Sequence, residues 1–346
     1  MKRFLRVLFV LAVAAGAAGA WWVYAIVHAP YKGFTAAEQF VEIAPGSSNR
    51  TIASRLVDAG IVRDRVAFRA AIELSGESRR LKAGEYRFDR AMTPLEVVDK
   101  LARGDVYVIT LTFPEGLNIL EMSKIFESHR LGPAAAFVEA ARDTTPIHDL
   151  DPAATDLEGY LFPETYAVPR KTDAPKLVRQ MVAQFLKAFT PEMRATIAAR
   201  HEMPRTVVTL ASIVEKETAK PEERPLVAAV YENRLRLGML LQCDPTVIYA
   251  LERAGQYRGN IHKEDLQIDS PYNTYRFPGL PPGPIASPGR ASLNAAVNPA
   301  DADFLYFVSR NDGSHEFAKT LAEHNRNVQK FQVQYFRDKR RSEHGK

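Results

Sequence analysis

The sequence predicts an α+β protein with a single N-terminal transmembrane helix, a small α+β subdomain and a larger, helix-rich α+β domain. Three observations carry this prediction. Residues 7–27 contain no charge. Between residues 39 and 108, alternating apolar segments are interleaved with apolar residues at helical spacing. Helical spacing then dominates from residue 134 onward. The bulk composition is that of a globular protein, with 46% hydrophobic and 25% charged residues in 346, which argues against a disordered or collagen-like chain. The length suggests roughly two folded units, each able to bury a core without cross-links. The one cysteine, Cys243, has no partner for an intramolecular disulfide and cannot build a thiolate zinc site.

The elements follow in order. As a helix, Val7–Val27 is about 21 residues and roughly 31 Å long, enough to cross a hydrocarbon core. Lys2, Arg3 and Arg6 precede it, so residues 1–28 read as a cytoplasmic tip and span, with the bulk of the chain periplasmic. Trp21, Trp22 and Tyr24 suit the headgroup layer at the far end. The competing reading is a cleaved signal peptide, because residues 15–20 are all Ala or Gly. Against it, the apolar run continues past them, whereas a signal core is usually about 7–15 residues. Residues 29–38, with Pro30, Gly33 and Thr35, read as a linker.

Val41–Ala44 alternates as a strand, and Pro45-Gly46-Ser47 breaks it. Ile52, Ala53, Leu56 and Val57 then recur at helical spacing up to Gly60. Leu81–Phe88 reads as a short hairpin or strand. Thr93 caps a further helix with Pro94 at its first position. A similar strand–turn–helix returns about 70 residues later: strand Val108–Phe113, turn Pro114–Gly116, then a helix face of Ile119, Met122, Ile125 and Phe126. Residues 39–108 are thus the small module, 109–336 the larger domain and 337–346 a basic, solvated tail. Within the larger domain, Ala134–Arg142 and Ala174–Phe189 are helical, and the aromatic loop Gly159–Tyr166 lies between them. Residues 268–290 form a long Pro/Gly-rich loop, of the kind compact domains keep for a site. Phe304–Val308 reads as a strand, turning at Gly313, with Glu316-Phe317 starting the return. The net charge is +5. The basic clusters at both ends lack interleaved aromatics, so no nucleic-acid partner is expected.

The segment Thr206–Thr218 carries the chemistry. On a helical wheel Val207, Leu210, Ala211 and Val214 form one apolar stripe, and Glu217 falls within it. A carboxyl there is partly desolvated, so its acid form should persist near neutral pH, the condition for a general acid. The residues alone leave open a simple pairing of Glu217 with Lys220 or Arg224. Glu215 and Lys216 read as solvated charges. No Gly-x-Ser-x-Gly elbow, zinc-helix histidine pair, P-loop or dinucleotide fingerprint is present, so no cofactor or metal is expected. His315 and His324 read as structural hydrogen-bonding groups.

Five ordered motifs then carry a resemblance. These are Glu158–Thr165, Leu210–Thr218, Asn233–Met239, Leu241–Tyr249, and Tyr272–Tyr275 with Gly279–Ala286. Together with the apolar N-terminus, they resemble the endolytic murein transglycosylase (YceG-like) family over nearly the full length. The resemblance implies that residues 39–108 are a LysM-like subdomain and 109–336 the catalytic domain. It implies Glu217 as the catalytic residue, being the second glutamate of the Glu-Lys-Glu-Thr motif. The implied substrate is the β-1,4 glycan of peptidoglycan, cut within nascent strands to leave 1,6-anhydro-muramyl ends. The implied setting is the inner membrane, with peptidoglycan synthases as partners. Glu164 is a candidate second carboxylate for positioning. Gln242, Asp244, Tyr272, Asn273 and Thr274 are candidate sugar contacts, with Tyr272 or Tyr160 stacking on a pyranose. The alternative for these polar residues is ordinary loop satisfaction. Cys243 departs from the small polar residue, such as Thr, expected there. Two other readings stay open: a non-catalytic, membrane-tethered peptidoglycan-binding scaffold working through residues 39–108, and a periplasmic lyase for a small metabolite. The Pro/Gly loop and the single anchor favour a polymer over the latter.

Overall fold

The computed structural model describes residues 2–344. Helix α1 (Lys2–His28) is long and apolar enough to cross a membrane. Phe4, Leu8, Phe9, Trp21 and Trp22 on it are all exposed. Its last turn is different. Val27 is fully buried, and Val23 and Ile26 pack on the core of the small unit. The exposed apolar sleeve therefore ends near Trp22 and spans about 28 Å at 1.5 Å per residue. The uncharged run continues to Val27 because its final turn meets protein, which an apolar side chain suits as well as lipid.

The chain divides into two compact units. One runs to Ile109 and takes back Ala167–Lys171; the other holds Thr110–Tyr166 and everything from Thr172. In the first, β1 (Gln39–Ile43), α2 (Asn49–Asp58), α3 (Arg65–Ser75), β2 (Gly84–Phe88) and α4 (Pro94–Arg103) follow α1. β1 and β2 pair antiparallel, Val41 opposite Tyr86 and Ile43 opposite Gly84. Buried Val41 and Ile43 alternate with exposed Glu42, as Tyr86 and Phe88 do with Arg87. Leu56, Phe68, Val97, Val98 and Leu101 complete the core. The expected Thr93 cap forms, as a reciprocal capping box with Glu96, and Gly104 ends α4 in the left-handed region. Helix α3 was not expected. Its signals are Asp64, which accepts from Val66 N–H and Ala67 N–H, and the face Ala67, Phe68, Ala71 and Ile72.

β3 (Ile109–Thr112) pairs with β4 (Thr165–Val168), Thr110–Thr112, Thr165 and Tyr166 of these strands belonging to the second unit, and α5 (Ile119–Ser128) and α6 (Ala134–Ala140) lie between them in sequence. This repeats the strand–helix–helix–strand order of the first unit. Gly46 and Gly116 hold matching left-handed turns, φ 74° and 79°. Ser48 and Asn118 are matching caps. Ile52, Ala53 and Leu56 correspond to Met122, Ser123 and Phe126 on the buried faces. After α7 (Ala174–Ala188) and α8 (Pro191–Ala199), α9 (Pro204–Glu217) packs against α8, α10 (Arg224–Arg236), α11 (Asp244–Arg253) and α12 (Arg290–Val297). Every residue from Val207 to Val214 is buried. The wheel's polar side is thus absent: Thr209 and Ser212 are inside too, as befits a helix enclosed all round. The hairpin β5 (Tyr306–Ser309) and β6 (His315–Ala318) follows. Then come α13 (Leu321–Val328), a π-helical turn and α14 (Tyr335–His344), whose basic residues Arg337–Arg341 are exposed.

Candidate active site

Glu217 is the last residue of α9, and the surrounding loops hold that helix in place. Ser212 Oγ accepts from Ile285 N–H at 3.0 Å, and Arg205 Nε donates to Pro282 O at 2.7 Å. The Pro/Gly segment therefore runs along α9. Gly159, in the aromatic loop, has φ 83°. A Cβ there would meet the Pro284 side chain at 2.4 Å, so only glycine allows this approach. Glu215, read from sequence as a solvated charge, is buried. It pairs with Arg224 at 2.8 Å, their side chains 5% and 7% exposed, and it accepts from Gly289 N–H at 2.9 Å. Arg224 is therefore engaged by Glu215, which removes it as a partner for Glu217. Lys216 is exposed.

Two donors converge on one oxygen of Glu217. Tyr231 Oη, from α10, donates to Oε1 at 2.6 Å, and Cys243 Sγ, at the start of α11, donates to it at 3.0 Å. Burial holds the Glu217 carboxyl above the ordinary carboxylate range. The two hydrogen bonds pull it down, and the nearby Asp244 charge pushes it up. The negative end of the α9 dipole adds to the disfavour of the carboxylate. Burial likewise keeps Tyr231 and Cys243 protonated, as donors. With Oε1 saturated, the acid proton belongs on Oε2. Among the described residues Oε2 has no hydrogen-bond partner, and Glu217 lines a cavity of about 300 Å³.

Of the residues singled out from sequence, Glu217, Gln242 and Asp244 line this cavity. Gln242 sits at φ 51°, a strained backbone for a residue with a Cβ, of the sort that clusters at functional sites. Asp244 Oδ1 accepts from Tyr275 Oη at 2.5 Å. Asn273 and Thr274 are buried and spend their polar atoms inside the protein. Asn273 Nδ2 donates to Leu266 O and Ile268 O, both at 2.9 Å, and Thr274 Oγ1 accepts from Cys243 N–H at 3.0 Å. They brace the loop carrying Tyr275 and the start of α11. Tyr272 lies in a separate depression with Arg253 and Ile268. Tyr160 is buried, donating to Asp151 at 2.8 Å. Glu164 is exposed and is not among the cavity residues. Its carbonyl accepts from Phe113 N–H at 3.0 Å beside the β3–β4 pair.

Tyr231, Arg234, Tyr275, Phe307 and His324 also line the cavity, and none was chosen from sequence. The signal for the first two is their i, i+3 spacing on α10, which puts them on one face. Phe307 and His324 arrive from β5 and α13, and no local pattern marks them. Cys243, which stands where a small polar residue was expected, touches the key carboxyl. His315 donates to Glu223 Oε2 through Nδ1 at 2.7 Å, a structural role.

The YceG-like family profile matches residues 41–330 of the chain. The chain is 33% identical over 310 residues to an endolytic murein transglycosylase of Bacillus subtilis (strain 168), covering 84% of each protein. It is 31% identical over 321 residues to that of Streptococcus pneumoniae serotype 2 (strain D39 / NCTC 7466), covering 83% of this chain and 57% of the pneumococcal one. A crystal structure of a yceG-like protein from Listeria monocytogenes superposes with a TM-score of 0.58 at 31% identity, over 84% of this chain and 98% of the other.

Proposed function

The chain belongs to the YceG-like family, and on that premise we propose that it is an endolytic lytic transglycosylase of peptidoglycan. The relatives' names support the activity, and the site supports a mechanism. Glu217, protonated on Oε2, gives its proton to the glycosidic oxygen between N-acetylmuramic acid and N-acetylglucosamine. The C1–O bond breaks, and the leaving sugar departs with that proton as its hydroxyl. The carboxylate left behind takes the proton of the muramyl C6 hydroxyl as that oxygen bonds to C1. A 1,6-anhydro ring forms, no water is consumed, and Glu217 is again protonated. One carboxyl serving both steps differs from the two-carboxylate scheme of hydrolases. It agrees with a site in which Asp244, the other cavity carboxylate, is engaged by Tyr275.

The observation that carries this reading is the pairing of a desolvated carboxyl with two donors on a single oxygen, which leaves the other oxygen for substrate. Gln242 and Asp244 supply acceptors and an amide for sugar hydroxyls. The anchor α1 holds the chain at the membrane, amino end inward, where nascent strands and their synthases lie. The β1-α2-α3-β2 order supports a LysM-like module in the small unit. The test is product analysis on uncrosslinked glycan strands with wild type and Glu217→Gln. The variant should keep its circular dichroism spectrum and release no anhydro-muropeptides. Wild-type turnover by the variant would refute the assignment, and no product from either protein would favour the scaffold reading.

A further inference from the structure

The cavity that holds Glu217 carries two groups that the acid–base scheme does not use, His324 of α13 and Arg234 of α10. The Arg234 residue is only 8% exposed. Its Nε donates to Leu305 O at 2.7 Å, and one terminal nitrogen donates to Leu241 O at 2.7 Å. Among the described residues no carboxylate stands within ion-pair distance of it, although buried guanidinium groups normally have an acid beside them. The second terminal nitrogen is neither hydrogen-bonded nor sealed off.

His324 stacks on Tyr306, ring centres 5.2 Å apart, and the Arg234 guanidinium lies over the same ring at 5.2 Å. The Nδ1 of His324 is sealed from solvent with no partner. Burial and the Arg234 charge hold the imidazole below its ordinary pKa, so it is neutral around pH 7. A proton on Nδ1 would be stranded without an acceptor, so the proton belongs on Nε2. That nitrogen is neither hydrogen-bonded nor sealed off, on a residue that lines the cavity. The cavity lining thus includes two unspent donors, one on His324 and one on Arg234. Asp244 and Gln242 supply the acceptors elsewhere in the cavity. Two unspent donors match an oxygen that only accepts.

We propose that His324 is a saccharide-binding residue of this site: its Nε2–H donates to a carbonyl oxygen of the bound glycan, in a cavity that the free nitrogen of Arg234 also serves. The proposal rests on the transglycosylase reading. Two carbonyls of that chemistry exist on the substrate, the acetamido group of either sugar and the lactoyl group of muramic acid. His324 is the residue to test, because Arg234 also ties down two stretches of backbone, Leu240–Leu241 and Leu305.

The experiment measures binding by the full chain in detergent, made inactive by Glu217→Gln, with and without His324→Phe. The phenyl ring keeps the stack on Tyr306 and deletes the donor. The probes are an N-acetylglucosamine tetramer and uncrosslinked glycan strands containing muramic acid. Kd should weaken about tenfold, the worth of one neutral hydrogen bond. His324→Gln, which restores an N–H near the Nε2 position, should recover most of the loss. In otherwise wild-type enzyme His324→Phe should raise KM by a similar factor and leave kcat within about twofold. Weakening with both probes assigns the acetamido carbonyl, and weakening with muramic-acid strands alone assigns the lactoyl carbonyl. Unchanged Kd and KM in the Phe variant, with cleavage by wild type and binding by Glu217→Gln intact, overturns this proposal alone. So does a loss that Gln fails to recover. Absence of both cleavage and binding in the parent proteins overturns the transglycosylase reading together with this one.

Discussion

Glu158 offers a measurable consequence of burying a carboxyl away from the cavity. It accepts from Ile119 N–H at 3.2 Å and from Tyr249 Oη at 3.0 Å, joining the start of α5 to α11. Burial pushes its pKa from 4.5 up to about 8, against the opposing pull of the Ile119 amide. Between those two values the folded protein binds the proton and the unfolded chain does not. Stability therefore falls as pH rises through that window and levels off above the folded value. At 1.36 kcal/mol per pKa unit, the full effect is roughly 5 kcal/mol, of which about 4 kcal/mol develops between about pH 5 and about pH 9. Glu158→Gln keeps an acceptor for both donors and has no charge to lose. Urea unfolding of wild type and variant at the two pH values measures this. Far-UV circular dichroism is the probe, because both tryptophans, Trp21 and Trp22, lie in α1 and do not report on the second unit. The variant should gain about 4 kcal/mol on wild type in going from the acid to the alkaline condition. A difference between the two proteins that stays constant with pH would refute the argument from burial.

Two further outcomes follow from the site. Tyr231→Phe removes the 2.6 Å donor to Glu217. A hydrogen bond to a charged group is worth ~1.5–3 kcal/mol, so kcat on glycan strands should fall about 10- to 100-fold. The alkaline limb of the pH–rate profile should also move to higher pH, since a group that favoured the carboxylate is gone. Arg224→Ala strands the buried Glu215 charge and should cost ~3–5 kcal/mol in unfolding measurements. A Glu215→Leu/Arg224→Met double variant should recover most of it.

Much of this molecule is written in local sequence. Charge exclusion from residues 7–27 marks the long apolar helix. Thr93-Pro94 and Gly104 delimit α4, and a strand–turn–helix repeats with its glycine and cap in matching places. The apolar spacing of α9 marked a buried helix and set Glu217 in line with its apolar residues, although the helix is enclosed all round. Such features are legible because a cap, a turn or a helix face involves residues within a few positions of each other.

Tertiary structure decided the rest. Glu215 and Glu217 lie two residues apart on one helix, yet one meets Arg224 and the other Tyr231 and Cys243. Nothing within α9 says which carboxyl will find a cation and which only neutral donors. The same holds for Asn273 and Thr274, polar residues in a loop whose hydrogen bonds turn inward, and for His324, which reaches the cavity from a helix more than a hundred residues after α9 begins. A carboxyl's acidity depends on solvent exclusion and on groups a few ångströms away, and chain folding brings those groups from distant positions. The sequence by itself could therefore nominate Glu217, and only the folded chain could supply the surroundings that keep its proton in place.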